Sequence, residues 1–180
     1  MSAWTQPLAR LRDLVFFRAG PQDLPYAPRA LIVLLVIGAG LGVAFDLRQG
    51  HPWAAIVGAN VGTLVALAAL SGLLRWRGRP ERFVQTALAL IATSLLFELA
   101  LLPLALVIGL PLPPNPQLDS RQTLALLAVF VLALWQVAIS VNILRHAMDI
   151  PVAGGVLALL AIAFADLTAA VLVAAAMGAA

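Results

Sequence analysis

Two acidic residues sit inside long apolar runs. Glu98 lies near the middle of TALALIATSLLFELALLPLALVIGL (86–110), and Asp166 lies deep in the run that follows Pro151. Carboxyls in hydrocarbon are costly, and where they occur they face a bundle interior, bind a partner or carry protons. Glu98 stands 15 residues after Phe83 (98 − 83) and Asp166 stands 15 after Pro151 (166 − 151). If both runs are helices starting at the same side, the two carboxyls lie at one depth, since each residue rises about 1.5 Å. No Arg, Lys or His lies at that depth; the nearest cations are Arg48 and His51 in a loop. Hydrocarbon favours the protonated carboxyl, and two that meet can share one proton. Glu98 and Asp166 are therefore candidate ligand- or proton-binding residues, with Gln136, Asn142 and Asn60 as polar neighbours. The competing reading is structural: the same groups hydrogen-bond between helices and hold their register.

The elements that must position these residues follow from composition. Of the 180 residues, 63% are hydrophobic and 11% charged, and mean hydropathy is +1.02. A water-soluble domain of this size has too few polar residues here to cover its surface, so the chain belongs in a bilayer. Five continuous apolar runs, at about 29–47, 53–75, 83–110, 122–145 and 151–178, approach or exceed the roughly 20 residues that span hydrocarbon. They do not alternate, so helices and not barrel strands are expected. The connectors carry breakers: Gly50 and Pro52, Gly78 and Pro80, and four prolines in PLPPNPQLDS (111–120). Asp149, two residues before Pro151, reads as a helix start. Ahead of the first span, Trp4, Leu8, Leu11 and Val15 form a helical stripe, with Arg10, Arg12 and Asp13 off it, which predicts a short amphipathic helix on the membrane surface. The fold class is all-α: a five-helix transmembrane bundle (29–178) behind an N-terminal interfacial segment (1–28).

Charge orients the bundle. Every basic residue other than histidine is Arg. Arg10, Arg12, Arg18, Arg29, Arg75, Arg77, Arg79, Arg82 and Arg145 fall on one side of the five spans, and only Arg48 and Arg121 on the other. Nine against two places the N-terminus in the cytoplasm and the C-terminus outside. The N-terminal segment lacks the apolar core of a secretory signal. The positive charge lies beside apolar runs, so anionic lipid headgroups are its expected partner, not nucleic acid. Arg75, Arg77, Arg79 and Arg82 in RWRGRPER could hold headgroups or an acidic partner surface, or could simply set topology. The all-arginine, Ala- and Leu-rich composition suggests a bacterial inner membrane.

Several chemistries are excluded. There is no Cys, hence no disulfide and no thiolate chemistry. His51 and His146 fall on opposite sides and cannot share a metal. Gly154–Gly155 lacks the surrounding pattern of a phosphate loop, and no serine has a positioned base. Neither a cofactor, a metal nor an enzymatic activity is expected. Gly58 and Gly62 in GANVG, and Gly38 and Gly42 in GAGLG, are helix-packing candidates, because small residues let backbones approach; they could serve the monomer or a homo-oligomer.

Two stretches resemble the Yip family of five-span membrane proteins, whose eukaryotic members interact with Rab GTPases. RFVQTALALIATSLLFELALLPLAL (82–106) is similar to its third span, with a basic loop, a Phe-x-Gln-Thr opening and a later proline, here Pro103. LWQVAISVNILRHAMDIPVAGGVLALL (134–160) is similar to its fourth span and the basic, His-containing turn after it. The likeness covers about residues 29–178. It implies a bacterial relative that acts as a non-enzymatic, trafficking-like scaffold, binding a membrane partner or lipid. The alternative, drawn from the residues alone, is a small transporter or proton-coupled channel component using Glu98 and Asp166.

Overall fold

Each apolar run folds into one helix. The computed structural model describes residues 5–109 and 117–178 and is helical throughout, with α1 Thr5–Val15, α2 Pro28–Arg48, α3 Trp53–Trp76, α4 Phe83–Ile108, α5 Ser120–Met148 and α6 Val152–Ala176. The last five are each long and apolar enough to cross a membrane, which makes this a multi-pass membrane protein. Trp4 and the side chain of Leu8, two members of the expected surface stripe, lie outside the described residues, as do residues 110–116 of the proline-rich connector.

The helix ends follow local chemistry. Pro28 starts α2 at a position where its missing N–H costs nothing. Gly109 ends α4 in the left-handed conformation (φ 76°), which glycine adopts without strain. A capping box starts α5: Asp119 Oδ1 accepts from Gln122 N at 2.7 Å, and Gln122 Oε1 accepts from Asp119 N at 3.0 Å. Gln122 Nε2 also donates to Ile108 O at 3.1 Å and ties the end of α4 to the start of α5. Asp149 does not start a helix. It ends α5 in the left-handed conformation (φ 52°), and Pro151 caps α6 instead.

Packing runs α2 on α4, α4 on α5, α5 on α6 and α6 on α3, and the α3–α6 pair is the most extensive. The reason is glycine. A Cβ on Gly58 would lie 2.5 Å from Ala170 O, and one on Gly62 would lie 2.5 Å from Asp166 Oδ1 and 2.8 Å from Asp166 O. Gly155 similarly lets α6 approach Val141 O of α5, where a Cβ would sit at 2.9 Å. The GAGLG run of α2 contributes less than expected. Gly38 meets Leu95, with a Cβ 3.3 Å from Cδ2, but Gly40 and Gly42 have nothing within 4 Å, so Gly42 is not a packing glycine within the described bundle.

The fully buried side chains gather at the arginine-bearing end. Leu14, Leu74, Ala87, Ala89, Ile139, Ile143, Leu144 and Ala147 have no exposed surface to speak of. At the opposite end burial is confined to the α3–α6 contact, with Ala54, Ile56 and Gly58, and the α4–α5 contact, with Ile108 and Ala125. Elsewhere Val36, Leu64, Phe130, Phe164 and Leu172 face outward, as lipid-facing residues must. At 29 residues, α5 is about 43 Å long and exceeds the roughly 30 Å of hydrocarbon. Its unbroken apolar stretch runs from Leu124 to Trp135, where Gln136 interrupts it.

At that depth α1 docks on α4 and α5. Leu14 is buried while Arg10 and Arg12 are exposed. Trp135 Nε1 donates to Val15 O at 3.1 Å, and the rings of Phe16 and Trp135 meet edge-on, 5.9 Å apart at 70°. The helix closes with Phe17 N on Leu14 O and Arg18 N on Asp13 O, which places Phe17 at φ 60° where glycine is usual.

Substitution of Gly58 by Ala is expected to cost about 1–3 kcal/mol of stability, because the backbone of α6 must move. Gly42→Ala is expected to be neutral or to stabilise by up to about 1 kcal/mol through helix propensity. Unfolding in mixed micelles titrated with dodecyl sulfate measures both.

Candidate functional site

A similar place along their helices does not bring the two carboxyls together. Glu98 lies ten residues before the end of α4 (108 − 98) and Asp166 ten before the end of α6 (176 − 166). However, α4 and α6 are not packing partners. Asp166 is half-buried against α3, its carboxylate over Gly62. Glu98 lies on an exposed part of α4. Neither side chain makes a hydrogen bond or ion pair among the described residues.

The other polar residues singled out by sequence are largely occupied by helix–helix or local bonds. Gln136 Nε2 donates to Ser94 Oγ at 3.2 Å and joins α5 to α4 one turn before Glu98. Asn60 Nδ2 donates back to Ile56 O at 2.8 Å, and Thr93 Oγ1 to Ala89 O at 2.8 Å, both within their own helices. Asn142 is buried near the arginine-bearing end of α5, six residues beyond Gln136 (142 − 136); its Nδ2 has no partner among the described residues. The gathering of Glu98, Asp166, Gln136, Asn60 and Asn142 into one polar site is thus not what the fold builds. Gln136 belongs to the α4–α5 contact, Asn60 to its own turn, and Asp166 to the α3–α6 contact.

The arginine loop has a structural duty that its sequence alone does not reveal. Arg82 Nη1 donates to His146 O at 2.9 Å, to Ala147 O at 3.1 Å and to Asp149 Oδ2 at 3.1 Å. Arg79 Nη2 reaches Asp149 Oδ2 at 2.9 Å, and Arg77 Nε points to Met148 O at 3.5 Å. These bonds satisfy carbonyls that the last turn of α5 leaves without intrahelical donors, and they place cations at the negative end of its dipole. Arg82, Arg79 and Arg77 therefore clamp the α5–α6 turn, and the exposed Arg75 is the member of the set without such a bond. The hydrogen bond from Arg82, reinforced by the charges of Arg82 and Arg79, holds the Asp149 carboxyl below the usual carboxylate range. Beside the clamp, Gln85 Nε2 donates to Leu24 O at 2.6 Å and fixes the segment that leads into α2.

Among the described residues no group of three His, Cys, Asp or Glu side chains could hold a metal. At the opposite end His51 Nδ1 lies 3.0 Å from Asp46 Oδ1. No family model, curated protein or solved structure matches the chain.

Sequence reasoning missed two features. The Asp119–Gln122 box was visible as D-x-x-Q ahead of an apolar run. The clamp had no local signal, because Arg82 and Asp149 are 67 positions apart.

Asp149→Asn keeps a residue that tolerates the left-handed conformation but removes the charge. It is expected to lower the midpoint of thermal unfolding at pH 7. A folded-state carboxyl held low contributes stability above its unfolded value of about 3.9, lost as pH falls through the lower folded value. The gap between parent and variant should hold from pH 7 to about 5 and close in stronger acid; melting curves across that range measure it.

Proposed function

We propose that the chain is a non-enzymatic membrane scaffold that binds another membrane-embedded helix through the surface of α4 around Glu98. One observation carries this reading: a carboxyl about ten residues from the helix end sits on the exposed surface of a spanning helix with no partner of its own among the described residues. In hydrocarbon such a group gains from a hydrogen-bond donor or cation brought by a second helix. The resemblance of residues 29–178 to the Yip family supports a binding role, and the nine-to-two arginine bias supports a cytoplasmic N-terminus and an external C-terminus. The composition agrees with a bacterial inner membrane. The arginine loop is the weaker docking surface, because three of its four guanidiniums are engaged with the α5–α6 turn. The transporter alternative loses its geometric support, because its two carboxyls sit on helices that do not pack together.

Photo-crosslinking from position 64, 98 or 164, followed by capture in nanodiscs, tests the reading. A partner helix is expected at 98 and not at 64 or 164. Glu98→Leu should weaken its retention about 3- to 30-fold, which corresponds to the ~0.6 to 2 kcal/mol of an interhelical polar bond. Its own unfolding midpoint should not change. A Glu98→Leu chain that retains every partner at parental strength would contradict the proposal.

A further inference from the structure

Beneath the last turn of α1 the fold leaves a hollow of about 180 Å³, walled by Val15 of α1, Leu96, Phe97 and Ala100 of α4, and Leu132 and Trp135 of α5. Every wall is apolar. Water needs two to four polar partners to stay in such a space, and these walls offer none. A helix, about 10 Å across, is too wide. Two wall residues, Leu96 at 42% and Trp135 at 37%, are themselves exposed, so the hollow opens onto the surface of two spanning helices, where the medium is acyl chain.

The walls are held in place. The Trp135 indole is fixed by its bond to Val15 O and by the edge of Phe16. Phe16 in turn is held there by a helix end that forces Phe17 into a left-handed conformation, an arrangement that costs roughly 1–2 kcal/mol and persists only where surrounding contacts enforce it. Basic side chains stand next to the hollow in sequence and on the exposed side of α1. Arg12 is three residues before Val15 and Arg18 three after, with Arg10 also exposed. Asp13 offsets Arg12 at 3.0 Å, whereas Arg10 and Arg18 make no ion pair among the described residues.

We infer that this hollow binds one acyl chain of an anionic phospholipid, with the phosphate taken by the arginines of α1 and the turn after it. The site is independent of the Glu98 surface. Glu98 is two residues from Leu96 and so lies nearly opposite it around α4.

The test uses the full chain with Trp4→Phe, Trp53→Phe and Trp76→Phe, which leaves Trp135 as the only indole. It is reconstituted in phosphatidylcholine vesicles containing increasing amounts of chain-brominated lipid, and quenching of Trp135 is recorded. Half-maximal quenching is expected at about fivefold lower mole fraction for brominated phosphatidylglycerol than for brominated phosphatidylcholine, the ratio one engaged arginine confers at an anionic surface. Arg10→Gln with Arg18→Gln should erase that preference. Ala100→Leu, and independently Leu132→Phe, should fill the hollow and reduce quenching by both lipids. Equal quenching by the two lipids in the parent overturns the inference. So does quenching that neither filling variant reduces, which would assign it to lipid at the general surface.

Discussion

A single backbone approach governs the arrangement. The carbonyl of Ala170 comes so near Gly58, and the Asp166 main chain so near Gly62, that no larger residue fits at either place. That contact commits α6 to α3. Once committed, α6 reaches α5 near Gly155 and does not pack on α4. Asp166 is turned toward α3 by the same contact, and Glu98 remains on an outer surface. In hydrocarbon no water competes for these groups, so which helices touch decides which polar side chains are left for a partner.

The second organising contact lies at the arginine-bearing end. Arg82 closes the last turn of α5 from 64 positions away in sequence, and the best-buried side chains surround that point: Leu74, Ala87, Ile143, Leu144 and Ala147. α5 is longer than the hydrocarbon, and its surplus is packed here, with α1 docked at the level of Trp135. The bundle is therefore well packed at one end and divided at the other into an α3–α6 pair and an α4–α5 pair. Tight packing at one end fixes the helices. The divided end exposes apolar surface, as a helix facing lipid must.

The spans were legible because hydrocarbon demands continuous apolar runs: the reading of 29–47 became Pro28–Arg48, and 53–75 became Trp53–Trp76. α5 extends beyond the reading of 122–145 at both ends. The capping box adds its first residues, and the last turn runs to Met148 because Arg82 supplies donors for its carbonyls. Gly58 and Gly62 were legible as packing residues, but Gly42 has the same spacing logic and meets nothing. Spacing says which glycines could face a helix, not which helix arrives. Helices that are apolar all round carry no periodic signal of their buried side, so the outward position of Glu98 could not be read. Nor could the clamp, whose partners are brought together only by the fold.

The most direct measurement exploits the absence of native cysteine. Two double variants, Glu98→Cys with Asp166→Cys and Ser94→Cys with Gln136→Cys, are oxidised in dilute nanodiscs, and intramolecular disulfides are counted by mass. A disulfide needs Cα atoms within about 7 Å. The account expects no bridge between 98 and 166, whereas positions 94 and 136, whose native side chains meet across the length of a glutamine between α4 and α5, are expected to be joined by a short bifunctional thiol reagent. Efficient bridging of 98 to 166 would mean that α6 leaves α3 to meet α4. The two carboxyls would then form one site, and the glycine contact would not govern the bundle.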